Sequence, residues 1–252
     1  MLIMSNSDGG IIVSIAFPLS IALVYVFFDR YNSSFMCYSL NCINWEEIKN
    51  LLRFSTPLAF SSLVVAANVG VTRIIIASKL GENTLAYYVY LQYYYTIAAI
   101  VALSVSQVLI PYLSESNDKG IFYKILKKVT LIITLYGVMF SLIMIFASNQ
   151  INTFILNEEI YYELTERALL AIGAIFSFVG VFYNAVLVSK KMLKQLFNLN
   201  LFLFLLTSLV TYYAVNTFGL KGAFLSFAIA SVFSCTISGY LIFRYNSTKK
   251  LS

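Results

Sequence analysis

The chain has 252 residues, of which 60% are hydrophobic and only 11% charged. A soluble domain carries about 25% charged residues, so there are too few charges here to build a water-facing surface, and a soluble globular protein is excluded. Histidine is absent, which removes His-based acid–base catalysis, Ser-His-Asp triads and most catalytic zinc or iron sites.

Charge-free runs mark the elements in chain order. They cover residues 9–28, 54–72, 83–114, 129–157, 168–189, 195–220 and 222–243. Crossing hydrocarbon takes about 20 apolar residues of helix. None of the runs alternates apolar and polar residues as the strands of a membrane barrel do. The pattern predicts seven helical spans, at about 10–28, 56–77, 85–110, 127–147, 167–188, 197–216 and 222–243.

The first residues, MLIMSNSDGG, lack the basic start and small-residue cleavage site of a signal peptide. A polytopic chain with ten residues outside before its first span is unusual, and suggests that this start is not the start of a complete architecture. The loop at about 29–55 carries Cys37 and Cys42, a weak metal signal without histidine or a second cysteine pair, so no metal is expected. Cys235 reads as a small intramembrane packing residue. Ser55, Thr56 and Pro57 form a helix-start signature. Pro111 is expected to close the third span, and Gly219 and Gly222 to bracket a tight turn around Lys221.

Lys and Arg orient the chain. Of the 17, Lys79, Arg167 and Lys221 fall on one side and Arg73 within the second span, which leaves thirteen on the other side. The richer side is cytoplasmic, so the N-terminus is expected outside and the C-terminus inside. The net charge of +6 therefore sits in cytoplasmic loops, where it meets anionic headgroups; no loop is large enough for a nucleic-acid site.

Several intramembrane residues have two readings. Arg73 costs roughly 3 kcal/mol at the bilayer centre. It either lines a hydrated cavity as an anion contact or snorkels outward, since Lys79 is only about 9 Å further on at 1.5 Å per residue. Asn68 and Thr72 could extend a polar patch on the same helix. The third span opens with a tyrosine run in which Tyr87, Tyr90 and Tyr94 share one face, and Tyr88, Gln92 and Tyr95 another. These faces are either an interfacial aromatic belt or a surface for stacking and hydrogen-bonding sugar rings. Small residues recur every fourth position, as in Gly222, Ser226, Ala230, Ser234 and Ser238, which favours close packing of one bundle. Gln107, Asn184, Asn198 and Asn200 are expected to bond between helices or meet an interface.

Residues 48–114 combine a basic approach (Lys49 to Phe54), Ser-x-Pro-Leu at 55–58 and the late Asn68 and Arg73. Leu-Gly at 80–81, a Tyr-rich helix and Pro-Tyr-Leu-Ser at 111–114 follow. This order resembles the first helix pair of the C-terminal lobe in Wzx-type O-antigen and capsule flippases of the multidrug/oligosaccharidyl-lipid/polysaccharide exporter superfamily. FGLKGAFLSFAIASVF at 218–233 resembles that family's closing turn and last helix. Family members often place an acid directly before the Arg; here the position is Thr72, which removes an Asp–Arg pair.

The resemblance implies an all-α integral membrane protein, a seven-helix bundle corresponding to the last helix of the N-lobe plus the six-helix C-lobe. Residues 1–54 would hold the first span and a cytoplasmic loop, 55–245 the lobe, and 246–252 a cytoplasmic tail. The implied activity is flipping of undecaprenyl-diphosphate-linked oligosaccharide across the bacterial inner membrane for O-antigen or capsule synthesis. It would act by a partial chain that needs no cofactor and is either a truncated or split gene product or one that needs a separate N-terminal half. Arg73 would contact diphosphate or acidic sugar. Asn68, Tyr90, Gln92 and Tyr94 would complete the substrate site. The alternative is a fragment of another secondary transporter, such as a drug/cation antiporter. An enzyme of glycan assembly is disfavoured because the spans hold neither histidine nor carboxylate.

Overall fold

The computed structural model describes residues 45–115, 119–156 and 162–248. The predicted first span, about 10–28, and Cys37 and Cys42 lie outside them. The described residues form six helices: α1 (Trp45–Leu80), α2 (Glu82–Glu115), α3 (Lys119–Leu156), α4 (Leu164–Ser189), α5 (Leu193–Phe218) and α6 (Leu220–Thr248). No strand occurs among the described residues. Each helix contains a stretch long and apolar enough to cross a membrane, the shortest being 26 residues, or about 39 Å of helix against a hydrocarbon core of about 30 Å. Contacts divide the chain into Met1–Leu52 and Arg53–Ser252. Of the first unit, only the opening turns of α1 are described; the second holds the rest of α1 and the other five helices.

Within this second unit α4 is the central helix. In its most apolar window 56% is buried, against 17% in α1. It packs against α6, α3 and α2, and α6 packs in turn on α5. The reason lies in its sequence. Phe178, Phe182 and Val186, spaced by four, are fully buried and form one ridge, while Gly173 and Gly180 open the backbone toward α6. A Cβ at Gly173 would lie 2.6 Å from the Phe227 ring. The small-residue row on α6 serves packing at its two ends: Gly222 abuts the Ala214 backbone, and Ser238 donates to Asn184 Oδ1 at 2.9 Å.

Connections alternate between two ends. Tyr162, before α4, donates to the Tyr87 carbonyl at 2.8 Å, and Glu163 pairs with Lys221 at 2.6 Å. Lys79 lies 5.0 Å from the Tyr212 ring. These contacts gather the α1–α2, α3–α4 and α5–α6 connections at one end. The hydrogen bond from Lys221 holds the exposed Glu163 carboxyl below its usual range. At the opposite end Lys190 Nζ donates to the Leu113 carbonyl at 2.7 Å and sits 4.7 Å from the Phe122 ring, which ties the α4–α5 turn to the α2–α3 connection.

Two helix boundaries differ from expectation. Pro57 does not start a helix; α1 begins at Trp45 and runs through it. Pro111 likewise lies inside α2, which continues to Glu115. Proline removes one N–H and frees one carbonyl, a loss that membrane helices tolerate when neighbouring groups re-satisfy the backbone. Beside Pro111, Ser114 Oγ donates to the Pro111 carbonyl at 2.8 Å. Gly219 caps α5 at φ 60, but Gly222 already lies within α6.

Candidate functional site

Five helices line a cleft of about 260 Å³. Each lines it with residues at helical spacing, so that a single face looks inward. On α1 these are Val65, Asn68, Val69 and Thr72; on α2, Tyr88, Gln92 and Tyr95; on α4, Ser177, Val181 and Asn184. α5 adds Asn200, Leu203 and Thr207, and α6 adds Ser226, Phe227, Ala230, Ser231 and Ser234. Residues bearing amides and hydroxyls outnumber the others in the lining, and among the described residues it contains no Asp, Glu, Lys or Arg.

Most of the donors in this wall are already engaged. Tyr95 OH and Ser177 Oγ are 2.6 Å apart, joining α2 to α4. Asn200 Nδ2 donates to Ser61 Oγ at 2.6 Å, joining α5 to α1. Thr211 Oγ1 donates to Ser226 Oγ at 2.9 Å, joining α5 to α6. Thr72, Thr207 and Ser231 donate to carbonyls one turn back in their own helices, at 3.0, 2.6 and 2.8 Å. This spends hydroxyl donors locally and exposes little polarity to lipid. Two buried acceptors in the lining remain without a hydrogen-bond partner among the described residues: Asn68 Oδ1 on α1 and Gln92 Oε1 on α2. A buried acceptor left so costs about 1–3 kcal/mol.

Behind the polar surface sits an aromatic floor. The Tyr95 ring stacks on Phe178 at 5.7 Å and meets the edge of Phe227 at 4.9 Å; Tyr88 packs on Phe224 at 5.1 Å. Tyr88 and Tyr95 thus present an aromatic and hydroxyl-bearing wall next to Gln92.

Of the sequence-derived candidates, Asn68 and Gln92 come together in the cleft. Arg73 is exposed on α1, outside the lining and adjacent to Thr72. Tyr90 and Tyr94 are half-buried on the neighbouring face of α2, against the apolar cluster of Leu91, Met144 and Tyr162. Tyr88 and Tyr95, which share a face with Gln92 in the sequence, line the cleft as well, and the residues not singled out there are chiefly Ser177, Thr207 and Ser231. A signal is present as polar residues two turns apart in apolar helices: Ser177 and Asn184, Asn200 and Thr207, Ser226 and Ser234. Asn184 and Asn200 bond between helices as expected, whereas Gln107 and Asn198 are exposed. Among the described residues no group of three or more Cys, Asp or Glu side chains could hold a metal ion.

Residues 9–117 match the family model described as polysaccharide biosynthesis protein. Over 221 residues the chain is 24% identical to the capsular polysaccharide biosynthesis protein CapF of Staphylococcus aureus, an alignment covering 86% of this chain and 55% of that protein. The fold is similar to that of an outward-facing multidrug resistance MATE family transporter of the MOP superfamily, with TM-score 0.72 at 16% identity over 92% of this chain and 54% of that one. The crystal structure of a MATE point mutant gives TM-score 0.69 at 15% identity with the same coverage. The chain is thus a multi-pass membrane protein with this transporter fold, related to proteins of polysaccharide biosynthesis. It spans about half the length of the relatives it matches.

Proposed function

We propose that this chain, a relative of capsular polysaccharide biosynthesis proteins, forms one wall of a conduit that flips undecaprenyl-diphosphate-linked oligosaccharide across the bacterial inner membrane. The movement is from the cytoplasmic to the periplasmic leaflet, for O-antigen or capsule synthesis. No bond is made or broken. A glycan carrying a diphosphate cannot enter hydrocarbon unaided, because each buried charge and unpaired hydroxyl is costly there. It needs a hydrated, hydrogen-bonding surface that opens to each leaflet in turn.

The observation that carries this reading is a cleft lined by amides and hydroxyls, with no charged side chain among the described residues, set within the membrane-capable helices of a transporter fold. Asn68 and Gln92 face the glycan, and Tyr90 and Tyr94 back the α2 wall. Arg73, exposed on α1 beside the cleft, contacts the diphosphate. The thirteen Lys and Arg of the basic side face the cytoplasm, so the chain starts outside and ends inside. A second lobe, on the same polypeptide or a separate one, supplies the opposite wall.

The fold is equally that of drug exporters, and a drug/cation antiporter is the competing reading. A cationic drug calls for a carboxylate or a cage of aromatic faces; Tyr88, Tyr95 and Phe227 line this cleft, but among the described residues no carboxylate does. The test is translocation of a fluorescent lipid-linked oligosaccharide in proteoliposomes holding both lobes. Arg73→Ala is expected to slow it at least tenfold; an unchanged rate counts against the proposal.

A further inference from the structure

We infer that α1 is a hinged gate over the cleft: its inner half, Arg53 to Val69, swings away from α5 about a hinge at Gly70, while its outer half stays seated. The inner end is the one that carries the α4–α5 turn. This deepens the translocation reading and rests on it only for the statement that what passes is a glycan.

Three observations converge. The first is uneven seating. α4 packs closely on α2, α3 and α6, and α6 on α5, whereas no such extended packing joins α1 to another helix. In the outer half Ile76 is fully buried and, with Ile75 and Leu80, joins the apolar cluster of Tyr88 and Leu91; Lys79 lies over the Tyr212 ring. No α1 residue before Ile75 belongs to either apolar core cluster, and from Ser55 to Val71 Ser61 alone is buried. A segment that buries so few apolar side chains opens at low cost.

The second is a weak point at the boundary. Gly70 stands just before Thr72, the first buried residue of the seated half. A Cβ at Gly70 would meet nothing within 4 Å, so packing does not require glycine, and glycine loosens a helix interior relative to alanine. The Thr72 hydroxyl donates to the Asn68 carbonyl at 3.0 Å, across Gly70; a bond of this kind slightly destabilises a helix and favours a bend.

The third is a balance between closed and open. Asn200 Nδ2 donates to Ser61 Oγ at 2.6 Å and so latches the inner half of α1 to α5. Against the latch stand Asn68 Oδ1 and Gln92 Oε1, buried acceptors without a partner among the described residues. No ligand in the closed cleft reaches them. Withdrawal of α1 lets water do so, which recovers what closure costs. Val65, Asn68 and Val69 leave the lining together, and the cleft widens at its inner end. Two states of comparable free energy, each with its own hydrogen bonds, are what a gate requires.

The experiment is double electron–electron resonance on the full chain in lipid nanodiscs. Cys37, Cys42 and Cys235 are replaced by alanine, and nitroxides are attached to introduced pairs of cysteines. Leu58→Cys with Leu131→Cys reports the inner half of α1 against α3, and Ile74→Cys with Phe146→Cys the outer half; all four side chains are exposed. The inner pair is expected to show two distances, one of them that of the closed structure, and the outer pair a single distance. Ser61→Ala removes the latch acceptor and is expected to raise the share of the other inner distance about fivefold, as the loss of one hydrogen bond implies. Gly70→Ala stiffens the hinge and is expected to lower that share about threefold. One inner distance throughout, an outer pair that moves with the inner pair, or shares that neither variant changes overturns the inference. The translocation reading fails separately: two α1 states as expected here, with no movement of lipid-linked oligosaccharide in the two-lobe proteoliposomes, sinks that reading alone.

Discussion

Lys191 carries a positive φ of 60, a conformation that glycine adopts without penalty and other residues do not. It occupies the position after the end of α4, where its N–H bonds to the Val188 carbonyl and that of Met192 to the Leu187 carbonyl, both at 2.9 Å. This pair of bonds is a Schellman turn, which usually places Gly where Lys191 stands. The left-handed conformation costs a non-glycine residue roughly 1–2 kcal/mol. Lys191→Gly is therefore expected to stabilise the protein by about 1 kcal/mol, part of the relief being offset by the greater freedom of glycine in the unfolded chain. The unfolding midpoint in mixed micelles measures it, and an equal or lower midpoint contradicts the account. The same scale shows what the sequence could reveal of the cleft. Asn68 and Gln92 stand out as amides in apolar helices. The choice between Tyr94 and Tyr95 is not legible: both faces of α2 are equally aromatic, and only the position of α4, with Ser177 bonded to Tyr95, decides which face turns inward.

Helices α5 and α6 approach so closely at their shared turn that a Cβ on Gly222 would fall 2.0 Å from the Ala214 carbonyl oxygen. The backbone itself blocks the space, so no side-chain rotation can make room. Gly222→Ala is expected to destabilise the protein by about 1–3 kcal/mol, the usual range for overpacking. Gly70→Ala is the matched comparison. Nothing lies within 4 Å of its Cβ position, and alanine is the better helix former by roughly 0.5–1 kcal/mol, so it should be neutral or stabilising. Thermal unfolding of the two variants side by side checks the pair, and equal losses would mean that the close crossing is absent. At this scale the existence of the helices was legible, because runs without charge mark what hydrocarbon will accept. Their ends were not. The segment Trp45–Arg53 carries Glu46, Lys49 and Arg53 and breaks the charge-free pattern, yet it continues α1 as helix. Pro57 and Pro111 look like boundaries by their chemistry, but flanking turns carry the helices through them.

Across the described residues, the alternation of Lys/Arg-rich and Lys/Arg-poor connections read from the sequence corresponds to the two ends gathered by Lys190–Leu113 and by Glu163–Lys221. The cleft between them was beyond sequence reasoning because it is assembled from five helices, each supplying only three to five residues. None of those sets is distinctive until α4 and α6 bring them to one space. What the assembly offers is amides and hydroxyls with no charged side chain among the described lining residues, flanked by the exposed Arg73, and on this the proposed glycan cargo with a charged lipid anchor rests. The most direct measurement of that claim is a paired transport assay in proteoliposomes containing this chain and the second lobe proposed above. Fluorescent undecaprenyl-diphosphate oligosaccharide and ethidium are offered under the same conditions. The account predicts that the lipid-linked oligosaccharide crosses and that ethidium does not; accumulation of ethidium with the oligosaccharide left in its original leaflet would contradict it.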